Sequence, residues 1–500
     1  MSTAKKFAGQ TAVYGLSTII SRSIFFVLTP ILVGLLSVKV YGIFTNMYSY
    51  ASLIGAMLTF GMETTFFRYL NKYETIKDKI YANSFFTVGG VAVVFMLGTG
   101  LFTTEIATWI RGDKAATVAD YIFYVRCFIF ILVTDAICAI PFAKVRANGR
   151  PMRYGMIKLL NVVFVVFLNL AFLFIVPYII KNQLPGAHWM AGWYRFHWVG
   201  YVFLSNLMAS VFTLVLLLPE ISVVKLKFSW KIFSEMVLYS WPVLIANISF
   251  IINENLDKIL LDKLLPGTIS ETQLGIYGAC AKISIFLSLV VQAFRLGAEP
   301  FFFSHSKNKN AVQTYARIMD YFVIMVSVMF VALVANIDLL KFFIRAGNPI
   351  QRQIYWSGLK CVPLLLFGYV SLGIYMNLSI WYKLSDQTKY GFYISGVGAI
   401  ATIVLNVVFI PKYGYMASAW ASLIAYTIMM ILSYIWGQRN YPIPYNLKKN
   451  LAYIISSVLL VYLSFYVFNS NIFIGDGLLI LFVSVVLYFE WRNLKAIFIR

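Results

Sequence analysis

The sequence predicts an all-α integral membrane protein of about 14 transmembrane helices, forming two pseudo-symmetric six-helix bundles and a C-terminal helix pair. Hydrophobic residues make up 61% of the 500 residues and charged residues only 12%, about half the charged fraction of a soluble protein. Long apolar segments recur along the whole chain, and the two halves resemble each other. These features predict an N-terminal bundle over 1–225, a second over 226–440 and the extra pair over 441–500.

Composition also limits the functional class. The formal net charge is +22, but the basic residues are scattered over short connections instead of forming one patch, which argues against nucleic-acid binding. All four cysteines fall inside hydrophobic segments and lack metal-ligand spacing. We therefore expect no disulfide framework, metal site or cofactor.

Fourteen hydrophobic segments are each long enough to cross a membrane as a helix, which takes roughly 20 residues. The first lacks a small-residue cleavage site and is followed at once by a second span, so we expect it to persist as a helix. The segments cover 11–36, 40–66, 81–102, 118–142, 154–180, 199–219, 232–254, 274–303, 316–337, 355–381, 388–410, 415–437, 450–468 and 472–490.

The connections between these segments alternate in charge. One set is rich in Lys and Arg, and the other holds acidic residues: Glu105, Asp113, Asp262, Glu271 and Asp476. Because positive residues accumulate on the cytoplasmic side, this pattern places both termini in the cytoplasm of a multi-pass protein of a bacterial inner membrane. One connection departs from the pattern, since Lys341, Arg345 and Arg352 lie outside.

Matched stretches in the two halves indicate an internal repeat. The matches lie 233 to 237 positions apart and occur in the same order. Because equivalent spans are six apart, an even number, the halves share one orientation and form a parallel repeat, which suits alternating access between two bundles. The matched stretches are Tyr41–Phe44 with Leu274–Tyr277, Gly61–Phe67 with Gly297–Phe303, Arg126–Cys127 with Lys360–Cys361, Arg153–Gly155 with Lys389–Gly391, and Leu168–Asn169 with Leu405–Asn406.

Ionisable residues inside the spans are the candidate functional residues, because a charge in the bilayer costs at least a few kcal/mol and usually faces a cavity or a partner. Basic residues predominate among the deep ones, so a shared cavity would attract an anion, and Arg offers forked donors for phosphate oxygens. Structural pairing is the alternative for each, and it is favoured for Glu63 and Glu299. Snorkelling suffices for Lys158 and Asp320. The candidate cationic cavity comprises Arg22, Arg126, Lys282, Arg295 and Lys360.

Two N-terminal stretches, Thr18–Arg22 and Val40–Gly42, together with the twin halves and two additional helices, resemble the polysaccharide-transporter branch of the multidrug/oligosaccharidyl-lipid/polysaccharide (MOP) exporter superfamily, in particular Wzx-type flippases. The resemblance implies a monomeric flippase that moves an undecaprenyl-pyrophosphate-linked oligosaccharide from the cytoplasmic to the periplasmic leaflet. It implies that Arg22 meets the pyrophosphate. It also implies coupling to H⁺ or Na⁺, for which Asp135 is the candidate residue.

Two other functions stay open. A multidrug or small-molecule antiporter of the same superfamily would call for an acidic cavity if its cargo were a cation. A membrane glycosyltransferase or polymerase would need sizeable outside loops, and the longest outside connection spans only Lys181–Trp198. No Gly-x-x-x-x-Gly-Lys motif occurs, so ATP hydrolysis by this chain is not expected. A transporter and not an enzyme is therefore the favoured interpretation.

Overall fold

The structure is a computed structural model that describes residue 26 and residues 28–498, with gaps at 74, 115, 225–226, 307 and 386. Every element in this described part is helical. The chain forms two compact units, Met1–Gly275 and Ile276–Arg500. The boundary between them falls inside one long helix, so the packing units differ from the repeat units expected from sequence.

The first unit is built around long helices that pack along their length. After a helical stretch at 28–35, its helices are α1 (Val38–Leu58), α2 (Met62–Lys72), α3 (Lys77–Leu101), α4 (Thr103–Arg111), α5 (Val118–Ala147), α6 (Pro151–Leu170), α7 (Val176–Lys181), α8 (Ala187–Ala191), α9 (Gly200–Leu216), α10 (Leu218–Ser222), α11 (Trp230–Leu264) and the start of α12 (Gly267–His305). A π-helical segment, Ala171–Ile175, joins α6 to α7. Helix α5 contacts α1, α3, α4 and α9, whereas α11 lies along α1 and α2.

The second unit begins with the remainder of α12. Its other helices are α13 (Ala311–Ala335), α14 (Ile337–Leu340), α15 (Pro349–Trp356), α16 (Val362–Leu378), α17 (Ile380–Leu384), α18 (Lys389–Tyr413), α19 (Tyr415–Asn440), α20 (Leu447–Tyr462) and α21 (Ile472–Phe498). Short 3₁₀ segments, Lys341–Ile344 and Ser357–Cys361, flank α15, and a π-helical segment, Leu463–Val467, ends α20. Helix α19 packs on α16 and α18, and α13 packs on α16, α20 and α21.

Eleven helices in the described residues are long and apolar enough to cross a membrane. The chain is thus a multi-pass membrane protein. Helix α9, with 17 residues, is a shorter apolar helix, and the predicted first span lies largely outside the described residues. The total of fourteen therefore stays a prediction of the sequence, as does the division at 225 and 440.

The second predicted span is not one continuous helix. Phe60 and Gly61 have φ values of 50° and 63°, so α1 ends at Leu58 and α2 begins at Met62. A side chain at Gly61 would also press on the backbone of α11, because a Cβ there would lie 2.9 Å from the Ser240 carbonyl oxygen. Glycine is the residue that tolerates both the left-handed backbone and the close approach. The repeat-equivalent Gly297 lies within continuous α12 instead.

The unit cores are apolar, and polar side chains within them bond to the backbone. In the first unit Phe66, Tyr81, Ile140 and Met236 join one buried cluster from α2, α3, α5 and α11. Hydroxyl groups on the helices donate to carbonyl groups one turn earlier, as Thr45 does to Tyr41 at 3.0 Å. Such bonds satisfy hydroxyls where water is scarce.

Candidate functional site

The predicted cationic residues divide between the two units. Arg22 lies outside the described residues. Arg126 belongs to the first unit, whereas Lys282, Arg295 and Lys360 belong to the second.

In the first unit, Arg126 and Asp135 both lie on α5, yet they do not face the same space. Nine residues at about 100° each place them on opposite sides of the helix, roughly 13 Å apart along its axis. Arg126 is exposed. Asp135 is hydrogen-bonded to Ser210 of α9 and is electrostatically coupled to Lys158 of α6. Arg126 and Asp135 thus lie in different surroundings.

Asp135 is an exposed residue of the first unit that lies next to polar side chains of neighbouring helices. Beside it, the Asn206 amide donates to the Tyr48 hydroxyl at 2.8 Å, which ties α9 to α1. Farther along the same face of α9, the Asn161 amide donates to the Thr213 hydroxyl at 2.8 Å. The Asp135 carboxylate can take up a proton, and the hydroxyl and amide oxygen atoms near it can accept hydrogen bonds, whereas the Lys158 ammonium group only donates them.

Lys158 is less peripheral than snorkelling implied. Its ammonium group lies 4.2 Å from the centroid of the Phe142 ring and interacts with Asp135. Both contacts stabilise a cation that is half-buried among helices. Helical spacing on α6 gives no hint of either partner, so the sequence could not have assigned them.

In the second unit, the three predicted cations are spread along the length of the bundle. Lys282 and Arg295 are thirteen residues apart on α12, about 20 Å along the axis. Lys282 is half-buried and has polar contacts of its own. Lys360 is exposed in the 3₁₀ segment before α16, with its ammonium group 5.8 Å from the Tyr415 ring centroid. The structure does not gather these three residues into one site.

Arg295 does line a recess with residues that the sequence did not single out. Lys383 of α17 and Asn377 at the end of α16 share this recess, and Phe294 and Phe302 supply apolar walls. Among the described residues, neither the Arg295 Nε atom nor the Asn377 amide nitrogen has a hydrogen-bond partner. The recess is mainly apolar and holds about 10 Å³ of free space, with Arg295, Lys383 and Asn377 as its polar residues. The sequence did not single out Lys383, because nothing distinguishes it from the other lysines of the short connections.

Other membrane charges are structural, as expected for Glu63. Its carboxylate pairs with Arg146, while the side chain of Glu299 lies outside the described residues. Asp320 does not simply reach the membrane surface, because it accepts a hydrogen bond from Asn450 at 2.9 Å and lies 3.9 Å from the Lys449 ammonium group. Pairing satisfies both of these acids.

Two of the three cations that depart from the predicted charge pattern, Lys341 and Arg352, have local partners. Lys341 lies 2.9 Å from Asp338, and the Arg352 guanidinium donates to the Ala346 carbonyl at 3.2 Å. In the long outside connection, Arg195 pairs with Asp120 at 2.7 Å, and this carboxylate raises the pKa of Arg195.

Solved structures of membrane transporters share this architecture. The lipid II flippase MurJ, in an inward closed conformation, aligns with a TM-score of 0.73 at 14% identity, covering 97% of this chain and 99% of that one. The chain has the fold of these transporters. The MATE multidrug transporter DinF-BH aligns with a TM-score of 0.58 at 14% identity, covering 88% of this chain and 97% of that one.

A third similar structure is a multidrug resistance MATE family transporter of the MOP superfamily in an outward-facing conformation. It aligns with a TM-score of 0.55 at 13% identity, covering 86% of this chain and 95% of that one. No protein-family model and no curated protein sequence matches the chain. At these identities the likeness concerns the fold, and the cargo must be argued from the residues of this chain.

Proposed function

We propose that this chain is a flippase for an undecaprenyl-pyrophosphate-linked oligosaccharide, which it moves from the cytoplasmic to the periplasmic leaflet for surface polysaccharide synthesis. The observation that carries the proposal is the extent of the structural likeness. The alignment with a lipid II flippase covers nearly all of both chains, whereas the two multidrug transporters leave more of this chain unmatched.

Charge supports an anionic cargo. Lys and Arg outnumber Asp and Glu by 41 to 19, and Arg295, Lys383 and Asn377 are neighbours around one recess. Pyrophosphate oxygens accept charge-assisted hydrogen bonds from such groups. In this proposal Arg22, Arg126, Lys282 and Lys360 contribute further positive charge along the route, and the lipid tail stays in the bilayer.

A multidrug antiporter is the second candidate, and Asp135 is the carboxylate that it would use. This group, hydrogen-bonded to Ser210 and coupled to Lys158, can accept a proton. The same residue serves ion coupling in the flippase proposal, so it does not by itself separate the two functions. The charge of the preferred cargo does separate them, because the flippase should prefer an anion and the antiporter a cation.

Binding to purified protein in detergent tests the cargo. We expect undecaprenyl pyrophosphate to bind more tightly than undecaprenol, which has the same tail without the charged group. Arg22→Ala and Arg295→Ala should each weaken binding by about tenfold to a hundredfold, because a hydrogen bond to a charged group contributes about 1.5 to 3 kcal/mol. Arg439→Ala, at an exposed arginine outside the recess, is the matched control and should bind normally.

Other outcomes of the binding experiment would contradict the proposal. Equal affinity for the two lipids, or unchanged binding by both arginine variants, would show that the protein does not recognise the pyrophosphate group. Tight binding of an organic cation that Asp135→Asn abolishes would favour the drug antiporter.

A further inference from the structure

A close helix crossing lies at the end of the first unit that the charge pattern places outside. Helix α1 crosses the start of α12, and both helices contribute a glycine at the contact. A Cβ at Gly42 would clash with the carbonyl oxygen of Glu271, and a Cβ at Gly275 would clash with that of Val38. Only glycine allows two helix backbones to approach this closely.

The contacts at this crossing follow the internal repeat. Gly42 and Gly275 are equivalent in the two halves, 233 positions apart, and so are Val38 and Glu271. Each glycine therefore contacts the residue four positions before its own counterpart. Such reciprocity is what a two-fold relation produces, and here it occurs within one chain.

A buried ion pair lies beside this crossing. The Lys114 ammonium group contacts Asp262 at 2.7 Å and also donates to the Ile110 carbonyl at 2.7 Å. Lys114 is 4% exposed and Asp262 is 5% exposed. The loop that carries Lys114 also packs on the turn before α12, where a Cβ at Gly267 would lie 2.8 Å from the Asp113 carbonyl carbon. Asp262 thus already supplies the carboxylate for this lysine.

Glu271 is a second carboxyl group in the same dry region. It is 3% exposed, and among the described residues its Oε1 atom has no hydrogen-bond partner. The Tyr121 hydroxyl of α5 is fully buried, has no partner among the described residues, and interacts electrostatically with Glu271 and Asp262. An unpartnered acid and an unpartnered hydroxyl point to a site that is completed by a small ligand.

The charges around Glu271 come from α1, α4, α11 and the loop after α4. Lys39 of α1, Arg111 at the end of α4, Lys114 and Asp262 all act on it electrostatically. Lys39 is exposed, and the Arg111 guanidinium donates to the Ala116 carbonyl at 2.6 Å. Lys114 is committed to Asp262. Burying a carboxylate without a close cation costs desolvation free energy, and protonation removes most of that cost because the group is then neutral.

We propose that Glu271 is a proton-binding site that couples protonation to this helix crossing. With Glu271 neutral, α12 rests on α1 and the outer end of the first unit is closed. Loss of the proton leaves an uncompensated charge that is stabilised only when water reaches it, so α12 separates from α1. Low pH therefore favours the closed crossing and high pH favours the open one. The inference rests on the chain being a transporter, but not on the identity of its cargo.

Thiol accessibility tests the proposal without any cargo. Val38 is 1% exposed at the crossing, so a thiol in a Val38→Cys variant reacts with a membrane-impermeant maleimide only when the crossing opens. Mass spectrometry locates the label. The four native cysteines are buried. Reaction rates are divided by those of Thr104→Cys, an exposed position on the same predicted side, to correct for thiol ionisation. We expect the open fraction to rise with pH, by up to about tenfold per unit for one linked proton.

Paired variants separate protonation from packing. Glu271→Gln, which mimics the neutral acid, should keep Val38→Cys protected at every pH, whereas Glu105→Gln, at an exposed acid, should change nothing. Gly42→Ala should leave the thiol reactive at every pH, and Gly89→Ala, where a Cβ would meet open space, should behave as the parent. A corrected reactivity that does not depend on pH, or that Glu271→Gln leaves unchanged, overturns the proposal whatever cargo binds.

Discussion

At the scale of single residues, the surroundings of each charge determine its role in this membrane protein. Lys114 and Asp262 look like ordinary outside-loop residues in the sequence, yet their side chains are 4% and 1% exposed and 2.7 Å apart. Lys341 and Asp338 are paired too, but their side chains are 23% and 45% exposed. Burial makes the first pair costly to break, whereas water can replace either partner of the second.

Replacing one member of the buried pair should therefore be severe. Lys114→Ala leaves Asp262 buried and uncompensated, and we expect it to lower the free energy of unfolding by about 3 to 5 kcal/mol. Lys341→Ala, the partly exposed control, should cost less than about 1 kcal/mol. Unfolding of the purified variants in detergent measures both, and equal losses would contradict the assigned burial.

At the scale of helices, polar links hold the C-terminal pair to the rest of the second unit. Lys449 of α20 lies 2.8 Å from Glu490 of α21 and 3.9 Å from Asp320 of α13. The Tyr453 hydroxyl donates to the same Glu490 carboxylate at 3.1 Å. One lysine thus connects three helices, among which apolar side chains gain little from preferring protein to lipid.

Removing that lysine should loosen the pair. Lys449→Met keeps the apolar stem but leaves Asp320 and Glu490 facing each other without their shared cation. We expect limited proteolysis to cut at the α19–α20 connection faster than in the parent protein. Lys448→Met, at the exposed neighbouring lysine, is the control. Identical cleavage rates in the two variants would mean that apolar packing alone holds α20 and α21.

At the scale of the whole molecule, the order of the helices makes orientation testable. Thr104 precedes α5 and Asn148 follows it, and both residues are exposed. Since α5 is 30 residues long and apolar enough to span the membrane, these positions must lie on opposite sides. The basic connection after α5 predicts that Asn148 is cytoplasmic.

Impermeant maleimide on intact cells decides the orientation. Thr104→Cys should react directly, and Asn148→Cys should react only after the membrane is permeabilised. The parent chain, whose four cysteines are buried, should stay unlabelled. The reverse pattern would invert the whole topology and with it the proposed direction of transport.

The sequence alone determined that this is a multi-pass helical membrane protein, because a run of about 20 apolar residues is a local property that forces a helix in the bilayer. It also located the equivalent glycines at 42 and 275. Tertiary structure alone showed that these glycines meet and that Lys383 and Arg295 line one recess. Lys114 also pairs with Asp262, which lies 148 positions further along the chain. Such contacts depend on how helices distant in sequence pack, and desolvation at those contacts sets whether a charge is a binding group or a structural one.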